Sequence, residues 1–164
     1  MNKQFEIIVA ELNLAVTADL LEAEAPITCE CFWQGIAKPW QQKLHHGREI
    51  GAELWCLINP PARELPYENS TVFPQAGEIL YYHYFQLPPS AEGWLFDIGI
   101  YYSRGYSKIR QGWMPGNLFA RLSSPQEIRK LEQVAAALLQ GGSGLDYHLD
   151  VTLRQKTGGV PRPD

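Results

Sequence analysis

Short runs of alternating apolar and polar residues recur along this chain, and two stretches carry a helical stripe instead. Phe5 to Glu11 alternates well enough for a first strand and Leu14 to Leu20 for a second, with Asn13 near the bend. Pro26 suits the first turn of a helix and Gly35 its end; Ile27, Cys31, Phe32 and Trp33 give that helix an apolar side. Strands are expected at Lys43 to His46 and at Ala52 to Ile58, the latter with Ala52, Leu54, Cys56 and Ile58 on one face. Asn59-Pro60-Pro61 ends that strand, since proline cannot donate to a ladder. Residues 59 to 76 then form a long loop, of a length often tied to function. Ile79 to Phe85 and Trp94 to Tyr102 are the clearest strands, joined through Pro88-Pro89-Ser90, and a Gly-rich loop leads to a strand at Asn117 to Leu122. Ser124 as cap, Pro125 in the first turn and Glu127 completing a capping box announce a second helix. Its stripe is Ile128, Leu131, Ala135, Leu138 and Leu139, and Gly141-Gly142 stops it. A last strand, about Tyr147 to Leu153, precedes a polar tail.

Two strands, a helix, five strands, a helix and a final strand make a mainly β protein. Eight strands can close into a barrel filled by side chains, which removes exposed edges, with the two helices capping the ends. A chain of 164 residues fits one domain, taken as residues 1–154 with a flexible tail at 155–164. Apolar content of 45% and charged content of 20% are ordinary for a globular chain. The net charge of −4, pI near 5.6 and absence of any long Lys/Arg run argue against nucleic acid or anionic membranes as partners. Three cysteines and no secretory or membrane-spanning pattern point to reduced thiols and a cytoplasmic location.

Two segments share one design. Residues 68–82, Glu-Asn-Ser-Thr-Val-Phe-Pro-Gln-Ala-Gly-Glu-Ile-Leu-Tyr-Tyr, and residues 112–122, Gly-Trp-Met-Pro-Gly-Asn-Leu-Phe-Ala-Arg-Leu, each run from a loop stiffened by Pro and Gly into a strand. With Leu21 to Cys29, and with His46-Gly47-Arg48 and Gly51, these segments resemble a bacterial family of cyclophilin-like proteins of unknown function. The resemblance spans roughly residues 20 to 122 and implies an eight-stranded cyclophilin-like barrel, whose element order matches the one read above. It implies no established reaction. Peptidyl-prolyl isomerases of that fold carry a Phe-His-Arg stretch, where this chain has Leu44-His45-His46-Gly47-Arg48. Their proline-pocket stretches have no counterpart in Ala52 to Leu57 or Phe96 to Tyr102, so isomerase activity is a secondary expectation.

Candidate chemistry gathers on a few residues. His46 and Arg48 share a face of a regular strand and suit an acid or base beside a carboxylate or carbonyl anchor; the alternative is a solvated strand end, or a bulge at Gly47 that turns them apart. Glu68 and Asn69 can orient a polar ligand or simply cap the loop. Asn117 offers a donor and an acceptor near a ligand, or ties two loops together, and Trp113 stacks on a ligand or packs. Tyr82, Tyr84, Asp97 and Tyr101 form either a hydrogen-bonding wall or the solvated outer face of a barrel; a buried Asp97 would need a partner. Cys29 and Cys31 diverge by about 200° on a helix. With His45 and His46 on opposite strand faces, no metal site is expected. The expectation is a barrel that holds a small polar ligand or short peptide at one mouth, through His46, Arg48, Glu68, Asn69, Trp113 and Asn117, with no cofactor. The alternatives are residual prolyl isomerisation and a self-assembling module, a homo-oligomer built through Trp55, Trp94 or tyrosine-rich outer strands.

Overall fold

A computed structural model describes residues 3–47, 51–83, 96–109, 112–141 and 147–156. Arg48, Tyr84, Trp94, the 88–90 connection, the glycine run at 142–144 and the tail from 157 lie outside these residues. The chain forms β1 (Gln4–Val9), β2 (Leu14–Leu20), α1 (Pro26–Gly35), β3 (Trp40–His46), β4 (Glu53–Leu57), β5 (Ser70–Thr71), β6 (Glu78–His83), β7 (Phe96–Tyr101), β8 (Lys108–Ile109), β9 (Gly112–Trp113), β10 (Gly116–Leu122), α2 (Pro125–Gln140) and β11 (Leu149–Gln155).

Eight of these strands close a ring. The order is β2-β1-β11-β3-β4-β7-β6-β10, and Ala120 opposite Leu20 with Leu122 opposite Ala18 joins β10 back to β2. Every pairing is antiparallel. Closure satisfies the backbone of each strand on both sides, so the mainly β, closed eight-stranded barrel with two helices expected from the pattern is the observed fold. No helix of the described residues is long and apolar enough to cross a membrane.

Period-2 alternation puts Phe5, Ile7 and Val9, then Leu54 and Cys56, then Ile98 and Ile100, inside the barrel, all essentially inaccessible to water. A bulge at Phe119, between Leu118 opposite Leu80 and Ala120 opposite Ile79, adds one residue to β10. The Phe119 ring meets Phe32 of α1 at 4.7 Å and Tyr81 at 5.9 Å, and Phe32 meets Phe5 at 4.7 Å. The α1 helix thereby plugs the end where β1, β3 and β10 begin. At the other end, α2 is held at the start of β2: Glu127 accepts from the Thr17 N–H (2.8 Å) and Lys130 donates to the Ala15 carbonyl (3.0 Å).

Four local expectations change. Ser124 makes no side-chain cap, so the capping box does not form; Glu127 is drawn instead to Thr17 on β2 and to Lys130. β3 starts at Trp40 rather than Lys43, because Gln41 and Gln42 are held by pairing with Thr152 and Val151 and not by an apolar pattern. β5, β8 and β9 span two residues each, too short to show a period. The last strand, β11, starts at Leu149 and runs two residues past Leu153 to Gln155, whose side chain donates to the Trp33 carbonyl.

Outside the barrel wall lies a second apolar cluster of Leu80, Tyr82, Tyr101 and Leu118, with Leu21 and Met114 packed against it. It faces outward from β6, β7 and β10; Met114 packs against it, and the loops around Val72–Pro74 and Gly105–Ser107 are bonded to one another beside it. Replacing Phe119 with Ala removes the ring that joins α1 to the barrel. It should cost about 3–5 kcal/mol in urea unfolding, as for other buried aromatics truncated in a core.

Candidate functional site

The long loop leaves β4 at the α1 end and is fastened there by one amide. Asn117 is fully buried at the start of β10. Its Oδ1 accepts from the Glu68 N–H (3.1 Å) and the Ser70 hydroxyl (2.8 Å), and its Nδ2 donates to Thr28 Oγ1 (2.9 Å) and the Pro66 carbonyl (2.8 Å). Two donors and two acceptor positions are thus all used within the chain. The Glu68 carboxylate accepts from the Ile27 N–H (3.2 Å), the Thr28 N–H (2.8 Å) and the Thr28 hydroxyl (2.8 Å). The N-cap residue Ala25 has no side-chain acceptor, so this distant carboxylate caps α1 and meets the positive end of its dipole. Asn69 takes the left-handed conformation (φ 46°) and donates to the Leu118 carbonyl (2.9 Å). These three residues form a structural clamp.

His46 sits at the opposite end of the barrel, since β3 runs from Trp40 beside α1 to its last residue, His46. Its Nε2 lies 2.8 Å from the Tyr102 hydroxyl. His45 faces outward, stacked on Trp55 at 4.6 Å. The structure therefore does not bring His46 to the mouth shared by Glu68, Asn69 and Asn117, and Arg48 lies outside the described residues. At the α1 end, the recess lined by Cys31, Phe32, Ile36, Trp40, Ile58 and Tyr81 has room for about one water molecule. No trio of His, Cys, Asp or Glu able to hold a metal ion occurs among the described residues. Burial pushes the Cys29 thiol up to about 12 and raises Cys56 as well, with Glu22 adding to the first and Asp97 to the second, so neither is a ready nucleophile.

Trp113 emerges elsewhere, on the outer side of the wall. It is 57% exposed, with Phe73 5.3 Å away (55% exposed), Tyr106 6.4 Å away (41% exposed) and the Lys108 ammonium 5.7 Å from its ring centre. Main-chain bonds hold the two loops together beneath these rings: Gly105 N–H to the Pro74 carbonyl (3.1 Å), Ser107 N–H to Val72 (2.8 Å) and Met114 N–H to Ser107 (3.2 Å). Trp113 is thus exposed and not packed in the core, and Phe73 and Tyr106, not singled out in the sequence, stand beside it. The available signal was a large ring directly before Pro74 in an otherwise polar loop.

Below this surface, Tyr82 and Tyr101 belong to neither alternative drawn for them. They point outward from the barrel yet are almost inaccessible, covered by the loops. Their hydroxyls lie 2.8 Å apart, and the Tyr101 hydroxyl is 3.0 Å from Oε1 of Glu53, itself 3% exposed. Burial pushes the Glu53 carboxyl up to about 8; the Asp97 charge adds to the rise and the Tyr101 hydroxyl opposes it. Burial also raises both phenols, which stay protonated. Glu53 was not singled out in the sequence because a carboxylate on the face opposite Leu54 and Cys56 reads as solvated.

Two outcomes follow from this geometry. Asn117→Ala leaves four polar groups without their partner and should lower stability by about 2–4 kcal/mol in urea unfolding. Glu53 binds its proton more tightly in the folded chain than at its ordinary value of 4.5, so its stabilising effect is full below that value and is lost as pH rises to about 8. Burial lowers His83 from 6.5, which confines that residue's opposite effect to lower pH. Stability should therefore fall by about 2 kcal/mol between pH 6.5 and 8, and Glu53→Gln should flatten that slope.

No curated protein matches the sequence. Among solved structures, that of McbB in complex with tryptophan matches with a TM-score of 0.68 and 21% identity, over 95% of this chain and 46% of that one. The likeness is one of fold, and this chain spans less than half of that protein's length. Residues 7–146 match the family described as a protein of unknown function (DUF3830). Since that match takes in most of the chain, the protein belongs to the DUF3830 family.

Proposed function

We propose that this protein is a binding barrel whose working surface is the platform of Phe73, Tyr106 and Trp113, with Lys108 beside it, and whose ligand is a planar aromatic acid, free or as a residue of a short peptide. One observation carries the reading. Of the five large apolar side chains exposed among the described residues, three stand together on this surface. Scattered exposed rings are normal, but clustered ones mark contact surfaces. Flat rings suit a flat partner by stacking, and the Lys108 ammonium supplies a counter-charge for a carboxylate on a chain that is acidic as a whole. McbB, the structural neighbour, was solved with tryptophan, a ligand of the same chemical class.

The cyclophilin-like relationship belongs to this proposal, supported by the element order around the barrel. So does a cytoplasmic setting, supported by three unpaired cysteines. Prolyl isomerisation and a catalytic His46–Arg48 pair form no part of it.

Calorimetric titration with L-tryptophan, and with a short peptide ending in tryptophan, tests the platform. Trp113→Ala should weaken binding about 3–10-fold, the worth of one ring-on-ring contact. Lys108→Gln should weaken tryptophan but not indole, which lacks the carboxylate. Binding unchanged by Trp113→Ala, or no binding below about 10 mM, overturns the reading. Self-association abolished by Trp113→Ala, seen in sedimentation, would replace it with a second copy as the partner.

A further inference from the structure

The recess at the α1 end holds a thiol that belongs to neither the clamp nor the platform. Cys31 is half-buried and lines it, together with Phe32, Ile36, Trp40, Ile58 and Tyr81. Cys29 and Cys56 are 2% and 0% exposed, and burial keeps both thiols protonated. Cys31 is therefore the cysteine that a solute can reach. A Cβ added to Gly35, the last residue of α1, would stand in open space, so the recess opens to solvent beside that residue.

Tyr81 of β6 lines the same recess. Its side chain is 1% exposed and its ring stands edge-on to Phe119 at 5.9 Å. Two aromatic donors thus meet here. The Trp40 indole N–H is spent on the Leu57 carbonyl (3.1 Å), whereas the Tyr81 hydroxyl has no hydrogen-bond partner among the described residues. A buried hydroxyl left unpaired is costly, so a group that accepts from it is favoured at this place. Burial raises the phenol and a charge on the nearby Cys31 sulfur raises it further, so the hydroxyl remains a donor. Space for about one water molecule admits one added oxygen atom and little more.

We propose that Cys31 is a peroxide-reactive thiol, oxidised to a sulfenic acid whose oxygen fills the recess and accepts a hydrogen bond from Tyr81. The Cys31 thiolate, its proton given up to solvent, attacks the near oxygen of hydrogen peroxide. An S–O bond forms and the O–O bond breaks, its electron pair going to the far oxygen. Sulfur is oxidised by two electrons and the peroxide is reduced by two. The far oxygen leaves as hydroxide and takes up one proton, which balances the one lost by the thiol, to give water. The oxygen gained at Cys31 then ties α1 to β6. No residue is shared with the platform, so the two readings stand or fall separately.

The experiment exposes the whole reduced chain to hydrogen peroxide, traps sulfenic acid with dimedone and locates the label by peptide mass spectrometry. In the folded protein Cys31 should carry the label and Cys29 and Cys56 should not; in the guanidinium-unfolded chain all three should. Carbon NMR reads Tyr81 without any substitution: its hydroxyl-bearing ring carbon should shift as Cys31 is oxidised and stay fixed in Cys31→Ser. Tyr81→Phe removes the donor, and the Cys31 sulfenic acid should then pass on to sulfinic acid about 3–10-fold faster, the effect of one lost hydrogen bond. A folded chain that labels all three cysteines alike, or leaves Cys31 unlabelled while the unfolded chain labels it, overturns the proposal. So does a Tyr81 signal that stays fixed while Cys31 is oxidised, because the recess would then hold no sulfenic oxygen.

Discussion

The buried amide of Asn117 is the constraint on which the outer half of this protein depends. It lies where water cannot replace a missing partner, so each of its four hydrogen bonds must be made inside the chain. Those bonds reach α1 through Thr28 and the long loop through Pro66, Glu68 and Ser70. A segment that would otherwise wander over the barrel surface is thereby fixed at its midpoint. Glu68 extends the same arrangement, because a loop carboxylate caps a helix that has no cap of its own. Loop, helix and strand are consequently one mechanical unit, though they are about 40 to 90 residues apart in the chain.

What the clamp positions is a second layer. The barrel interior is a conventional apolar fill around Phe5, Phe32 and Phe119. Outside the wall, Leu80, Tyr82, Tyr101 and Leu118 make a smaller core roofed by the two loops. A roofed outer face can bury polar groups as completely as the interior does, and Glu53 is buried there against two tyrosines instead of facing solvent. The exposed rings of Phe73, Tyr106 and Trp113 stand on those loops, and the bonded Glu53, Tyr101 and Tyr82 side chains lie on the outer face of the wall.

The barrel was legible in the sequence because strands and helices announce themselves through local period and through Pro and Gly at their ends. Leu54, Cys56 and Ile58 share a buried face, and α1 runs from Pro26 to Gly35, as their spacing requires. The capping box at Ser124 was legible and yet not used, since Glu127 found a better partner on β2. The stiffened loops at residues 68–77 and 112–116 were also legible as special, and both take part in the clamp or the platform. His46 and Asn117 illustrate the limit. Each carries a polar group on a strand, and nothing in the residues around them says that they lie at opposite ends of a closed ring.

Local pattern was enough to set the order of the eight barrel strands and two helices, the inner face of most strands and the places where the chain must turn, because these follow from interactions within a few residues. The tertiary fold alone sets which polar side chains meet, which outward faces are buried, and that a carboxylate on β4 is bonded to a tyrosine on β7 and through it to one on β6. Those outcomes depend on strand order around a closed barrel and on how two long connections cross its wall, and no local period encodes either.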